Sequence, residues 1–286
     1  MVSERQRDDW RRGRAAFRRR VWTYYREHRR DFPWRTPHLR VRTDGSVDPY
    51  RILVSEVMLQ QTQTARVVEK YRAFITRFPS IRKLADAPLA DVLRAWQGLG
   101  YNRRAKALHA LARVVVAEHG GRIPRSRAHL LALPGIGPYT ATSIRAFAFN
   151  EPDLALETNI RTVLLHHFFS GRESVGDEEL LACASVVFDL RHPREWYTAL
   201  MDYGAHLKRH GVRLNDRSRH YTKQSRFAGS AREVRGAVLR ALAERGHTQT
   251  GLLKLPFATE RITRAVTALH TEGMIERRGR TWHLAR

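Results

Sequence analysis

The chain has 286 residues, enough for two or three domains, and 42% hydrophobic content supports a sizeable core. It carries 52 Lys and Arg against 28 Asp and Glu, a formal charge of +24, which points to a polyanionic partner, most commonly nucleic acid. The single cysteine, Cys183, excludes an internal disulfide and a four-thiolate metal site, and no apolar stretch reaches the length of a bilayer.

The charge is uneven. Residues 1–40 carry +8 and residues 208–286 carry +12, leaving about +4 for the segment between them. An Arg-rich genome would raise arginine everywhere rather than leave the middle near neutral. The charged N-terminus has no apolar signal core, so a cytoplasmic, nucleoid-associated location is expected.

Residues 1–30 read as an Arg-rich helix with Phe17, Val21, Trp22 and Tyr25 at helical spacing, ended by Pro33. A polar loop follows, and the stretch 48–78 is again helical in pattern. Pro79, Pro88, Gly98, Gly100, Gly120, Gly121 and Pro124 then punctuate short helices. Strand-like alternation is absent before about residue 270, so the body is expected to be all α. Cys183 lies in the apolar run LLACASVVF and reads as a small buried hydrophobe.

The stretch 208–230 is basic, polar and poor in aliphatics, and reads as a connector. Beyond it, Val234, Val238, Leu239 and Leu242 mark one face of a helix, two further helical segments follow, and MIERRGRTWHL suggests two short strands. Three helices and a β-wing over 231–286 describe a winged helix-turn-helix, in which Arg261 and Arg264 on the helix at 259–272 are candidates to face DNA. The same module used for protein contacts alone is the competing reading.

LPGIGPYT at 133–140 joins two helical stretches. Gly135 and Gly137 are expected to allow a tight turn that presents backbone N–H groups at the next helix start, a seat for a phosphate that reads no base.

With this hairpin, the chain resembles the helix-hairpin-helix DNA glycosylases, and within them the MutY adenine glycosylases. The resembling segments are FPWR (32–35), SEVMLQQTQT (55–64), GLGYNRRAKAL (98–108), GGRIP (120–124), LPGIGPYTA (133–141), ETNIRTVL (157–164) and MDYGA (201–205). They occur in family order, with 83 residues from Glu56 to Tyr139 and 18 from Tyr139 to Glu157. The resemblance implies a mainly α, two-lobed body over 1–207, with the N-terminal helix returning to the second lobe, then the connector 208–230 and the winged helix 231–286.

It also implies roles. Glu56, amid the apolar VSEVML, matches the acid that protonates the departing base, and desolvation there favours a raised pKa. Glu157 stands where the family has Asp, opposite the cationic sugar of the transition state, and its carboxylate reaches roughly 1.5 Å further. Tyr139 stands where lyase-type relatives carry a nucleophilic Lys, so a monofunctional glycosylase is expected. Gln60, Gln61 and Tyr101 fall in the duplex-probing loops, with the residue matching Tyr101 wedging beside the oxidised guanine opposite the adenine, and Lys106 takes the place of a backbone-contact residue; a polar helix end is an equal reading for Gln60. The expected partner is double-stranded DNA with a mispaired or damaged base, bound by a monomer, with an alkali metal at the hairpin also implied.

Two family features are missing. Ungapped extension beyond MDYGA puts Lys208, Asn215, Ser218 and Gln224 where relatives hold an iron–sulfur cluster with four cysteines, so the cluster is expected to be absent. The β-rich domain that reads 8-oxoguanine is replaced by the winged-helix pattern. Adenine opposite 8-oxoguanine or guanine is the favoured target. A thymine or uracil mismatch glycosylase of the same superfamily stays open, as does a non-catalytic damage-sensing regulator; an RNA-binding protein rests on charge alone.

Overall fold

The computed structural model describes residues 2–35, 38–218 and 226–286. Gln224, and with it the 219–225 part of the basic connector, lies outside the described residues. Helix α1 (Glu4–His28) begins at a capping box in which the Ser3 hydroxyl accepts from Gln6 N and the Gln6 side chain returns to Ser3 N. The pattern over 48–78 is two helices rather than one, α2 (Pro49–Leu59) and α3 (Thr64–Arg77). They are separated by a turn in which Gln61 takes φ 55°, a conformation no α-helix continues through.

Short helices follow: α4 (Ile81–Asp86), α5 (Leu89–Ala95), α6 (Arg103–Glu118), α7 (Arg127–Ala132) and α8 (Pro138–Phe149). Then come α9 (Thr158–Phe168), α10 (Asp177–Val187), α11 (Pro193–Arg209) and a 3-10 turn at Asn215–Arg217. The C-terminal segment runs α12 (Ala231–Glu244), β1 (His247–Thr248), α13 (Gln249–Leu252), α14 (Thr259–Thr271), β2 (Ile275–Arg278) and β3 (Thr281–Leu284). No helix among the described residues is long and apolar enough to cross a membrane.

The chain divides into two compact units. The first comprises Met1–Ile52, Arg125–Leu131 and Ile136–Lys223. In it α1 packs on α10 and α11, and α9 packs on α11. Phe17 of α1 meets the edges of Phe168 and Trp196, at ring-centroid distances of 5.0 and 5.9 Å. Trp22 and Tyr25 are only half-buried, while Cys183 is buried and its thiol is pushed up in pKa by desolvation.

Two of the recurrent motifs lock together inside this unit. Asp202 of MDYGA is fully buried and accepts from Arg30 N at 2.9 Å, Arg30 Nε at 2.6 Å and both terminal nitrogens of Arg35 at 2.9 Å, the last from FPWR. A buried carboxylate is tolerated only with this many donors around it. Gly204 lies against α9 so closely that a Cβ would stand 2.4 Å from Asn159 O, so only glycine fits.

The second unit comprises Leu53–Pro124, Ala132–Gly135 and Gln224–Arg286. Its core holds Phe74, Leu84, Leu93 and Trp96, with α6 packed on α4 and α5. The C-terminal segment has its expected three helices and hairpin strands. It also has a short extra strand, giving an antiparallel sheet of order β1-β3-β2 with His247 opposite Trp282 and Ile275 opposite Leu284. Val234, Val238, Leu239, Leu242 and Ile275 are all buried.

This segment is not a separate compact unit. Its α12 packs on α5, Arg94 donates to Ala243 O at 3.1 Å, and the Glu272 carboxylate at the end of α14 is shared by Arg103 of α6 and Arg235 of α12. Burial would push Glu272 up, but the hydrogen bonds and charges of Arg103 and Arg235 hold it at about 2.

Candidate active site

In the second unit, Glu56 sits on α2 at 8% exposure, flanked by the buried Leu53, Val54, Val57 and Met58. The carboxylate is enclosed because α2 is buried without interruption over residues 52–58. Beyond it come the two loops assigned to probing the duplex. Gln61 has φ 55° and Tyr101 has φ 48°. Among the described non-glycine residues, the other positive φ belongs to Asn150, which ends α8 in an ordinary left-handed cap. The left-handed conformation costs about 1–2 kcal/mol for an L-residue, and such strain concentrates where a side chain must be aimed.

Both loops are clamped by one residue. Arg104, in the first turn of α6, donates to Val57 O, Met58 O and Gln60 O at 2.9, 2.9 and 2.6 Å on one side. On the other it reaches Leu99 O and Gly100 O at 3.1 and 3.0 Å, and it also binds the Thr62 hydroxyl at 2.9 Å. The guanidinium therefore grips the carbonyls immediately before both strained residues. Its carbon lies 5.5 Å from the ring centroids of Trp96 and of Tyr101. Burial lowers its pKa to about 10, opposed by Tyr101, which leaves it charged at neutral pH. Gln61 is exposed, whereas Gln60 and Tyr101 are half-buried.

The hairpin divides its glycines by role. Gly135 has φ 78° and a Cβ there would meet Ala107 Cβ at 2.8 Å, so both backbone and packing require glycine. Gly137 departs from expectation: φ −95° and ψ 176° are extended values that any residue adopts, and nothing lies within 4 Å of its missing Cβ. What glycine supplies there is open space at the N-terminus of α8, which no side chain caps.

The basic candidates divide as well. Lys106 Nζ donates to Glu272 O, so this ammonium ties α6 to the end of α14 instead of pointing at solvent. Arg261 is half-buried and donates to Gly229 O at 2.9 Å and Ser230 O at 3.3 Å, with its guanidinium over the Phe257 ring. Arg264, one turn of α14 away, is exposed.

In the first unit, Tyr139 is half-buried in the first turn of α8, directly after Pro138. Glu157 is the N-cap of α9: Oε1 accepts from Asn159 N at 2.7 Å and Ile160 N at 2.9 Å, and Oε2 accepts from Asn159 Nδ2 at 3.3 Å. The residue as a whole is half-buried but its carboxyl is enclosed. Desolvation raises its pKa above the ordinary 4.5, and these donors together with Lys208 pull the other way. Lys208 is lowered by burial and raised in turn by Glu157.

The three described cluster positions are otherwise engaged. Lys208 interacts with Glu157, Asn215 Oδ1 accepts from the Thr162 hydroxyl at 3.1 Å, and Ser218 Oγ accepts from Arg161 at 3.0 Å. Val175 N donates to Arg217 O at 2.9 Å in the same patch. An ammonium, an amide and a hydroxyl with these partners do not fit an iron–sulfur cluster. Among the described residues no group of three or more His, Cys, Asp or Glu side chains could hold a metal ion.

Arg104 and Asp202 do not stand out in the sequence, and Lys208 stands out there only as a cluster position, not as a neighbour of Glu157. Arg104 and Asp202 lie inside quoted motifs, GLGYNRRAKAL and MDYGA. For Asp202 the available signal was a carboxylate beside Met201, Tyr203 and Gly204, where an unpartnered charge would be costly; Arg104, between Arg103 and Lys106 in a basic run, carried no such signal.

Residues 54–184 match the model of the HhH-GPD superfamily base excision DNA repair proteins. The adenine DNA glycosylase of Mycolicibacterium smegmatis is 35% identical over 276 residues, covering 89% of this chain and 90% of that one. The chain belongs to the HhH-GPD base excision repair superfamily, on its adenine DNA glycosylase side. It is a DNA N-glycosylase. It spans only 38% of the rat adenine DNA glycosylase, to which it is 37% identical over 67% of its own length. A thermostable thymine-DNA glycosylase matches at TM-score 0.57 and 28% identity, over 68% of this chain and 87% of that one. A non-covalent endonuclease III–DNA complex shares the fold at TM-score 0.54 and 18% identity, over 80% and 92%.

Proposed function

We propose that this glycosylase is monofunctional and removes adenine mispaired with 8-oxoguanine or guanine. The observation that carries the reading is the buried Glu56 on α2, followed by the strained Gln61 and Tyr101 and the Arg104 that holds both loops. Extracting a base opens a gap in the stack, at a cost of about a few kcal/mol, and rigid side chains offered at the duplex offset it. Glu56 then protonates the leaving base. The family resemblance assigns to Glu157, whose carboxylate is fixed by two backbone N–H groups, the stabilisation of the charge that develops on the sugar. Tyr139 supplies no amine, so no Schiff base forms and the product is an intact abasic strand.

The remaining candidates serve positioning. The uncapped start of α8 behind Gly137 seats a phosphate, Arg264 contacts the backbone from α14, and a monomer suffices. The segment 208–218 is held by its hydrogen bonds to α9 and the Val175 backbone, without an iron–sulfur cluster.

A panel of duplexes tests the target: A opposite 8-oxoguanine, A opposite G, T opposite G and U opposite G, each followed by alkali cleavage. Release of A is expected. Release of T or U alone would favour the second reading, a thymine or uracil mismatch glycosylase, which the similarity to the thermostable thymine-DNA glycosylase supports. Release from none by folded protein would overturn both.

A further inference from the structure

We propose that Arg232 is a specificity-determining positioning residue. From the C-terminal segment it fixes Tyr101 against the duplex, so that reading of the base opposite the excised one depends on α12. The inference rests on the proposed function above and adds to it the residue through which the C-terminal segment takes part.

Arg232 lies in the first turn of α12 and donates to the phenolic oxygen of Tyr101, while its guanidinium carbon stands 4.9 Å from the Tyr101 ring centroid. Arg104 lies 5.5 Å from the same centroid. Two guanidinium groups therefore lie against an aromatic ring whose own backbone is left-handed. A tyrosine left to itself would relax out of that conformation; ring and hydroxyl are held by separate contacts, so its orientation is over-determined.

The position of Arg232 is itself informative. A cation in the first turn opposes the helix dipole, so α12 would be better served by a neutral or acidic residue there. Its neighbour Glu233 does the conventional work, accepting from Gly229 N at 2.6 Å. The arginine is thus placed against the preference of its own helix, and its guanidinium reaches Tyr101 and, at 3.4 Å, the Arg226 carbonyl. Arg235 and Glu272 dock α12 and α14 on the first turn of α6, directly beyond the loop that carries Tyr101, which makes the placement rigid. A planar fork can stack on a ring and bind its hydroxyl at once; an ammonium cannot do both.

The test uses the full chain and a duplex with 2-aminopurine beside the base opposite the target adenine, read by fluorescence at equilibrium. Wild type is expected to raise the emission by unstacking the probe, Tyr101→Ala to give no rise, and Arg232→Ala at most a third of it. Arg232→Lys is expected to behave as Arg232→Ala, and Arg232→Ala is expected to add nothing in the Tyr101→Ala background. Thermal melts accompany each variant, with Arg232→Met keeping the aliphatic stem should the alanine variant melt early.

A full rise with Arg232→Ala or Arg232→Met overturns the proposal. So does an equal loss in both backgrounds, or a fall of about one in the salt slope of binding, which would make Arg232 a phosphate contact. Absence of any rise with wild type overturns it too. Because the fluorescence needs no excision, failure of the glycosylase reading would show separately, as no base release with the fluorescence pattern intact.

Discussion

Arg104 holds the carbonyl oxygen of Gln60 at 2.6 Å, one residue before Gln61 turns into the left-handed region. The same guanidinium holds Gly100, one residue before Tyr101 does so. Six acceptors, from the end of α2 and from both loops, converge on one side chain, and no ammonium group could satisfy them.

Arg104→Ala is expected to lower single-turnover excision by about 100-fold or more, since loops misplaced by an ångström misplace the flipped base. Arg104→Lys should recover little of this. The check is the rate of base release at saturating enzyme, with duplex affinity measured in parallel; a lysine variant within threefold of wild type would show that charge alone suffices.

Glu157 gives a pH-dependent prediction. Its pKa is raised in the folded state, so its contribution to stability is present below about 4.5 and is lost as pH rises through the folded value. Glu157→Gln is therefore expected to gain in melting temperature over wild type on going from pH 5 to pH 8, while excision falls by roughly 100-fold or more. An unchanged difference between the two pH values would show that the carboxyl is solvated. Glu157→Asp, which keeps the charge and caps a helix well, should retain activity.

Tyr139→Lys is expected to introduce what the wild type lacks. Borohydride should trap a covalent complex with nicked or abasic duplex only for the lysine variant. Trapping of wild type would identify another amine and end the monofunctional reading.

Asp202 is buried between Arg30 and Arg35. Asp202→Ala leaves both guanidiniums without their carboxylate and is expected to cost about 3–5 kcal/mol, read by urea unfolding. A loss below about 1 kcal/mol would mean that water replaces the carboxylate.

Arg261 and Arg264 look alike in the sequence and differ in the fold. Arg264→Ala should reduce the salt slope of DNA binding by about one, and Arg261→Ala should leave it unchanged while lowering thermal stability slightly. Titrations at several salt concentrations separate them; equal slopes for the two variants would refute the assignment of α14's exposed face to DNA.

The local setting of several candidate site residues was legible because it is short-range. A carboxylate within an apolar helical run, a Leu-Pro-Gly-x-Gly turn before a helix and an acidic residue opening another helix are short-range patterns, and Glu56, Gly135 and Glu157 lie in such settings. Gly137 was misjudged because two glycines in one turn look equivalent until their φ values differ. The break at Gln61 was missed although the polar run at 60–64 interrupts the apolar pattern between α2 and α3; the positive φ at Gln61 fixes where the helix ends.

By itself, then, the sequence determined the helical body, the order of the chemical motifs, the basic termini and a connector whose residues at the cluster positions are not thiols. Those properties follow from composition, periodicity and residue chemistry, none of which needs a distant partner. Tertiary structure alone decided that Lys106 is tied to Glu272, that Arg104 joins two loops, that Asp202 gathers Arg30 and Arg35, and that the C-terminal segment forms one unit with residues 53–124. Long flexible cations reach across tens or hundreds of residues to find their acceptors. Which acceptor each one finds depends on how the helices pack, and no local pattern records it.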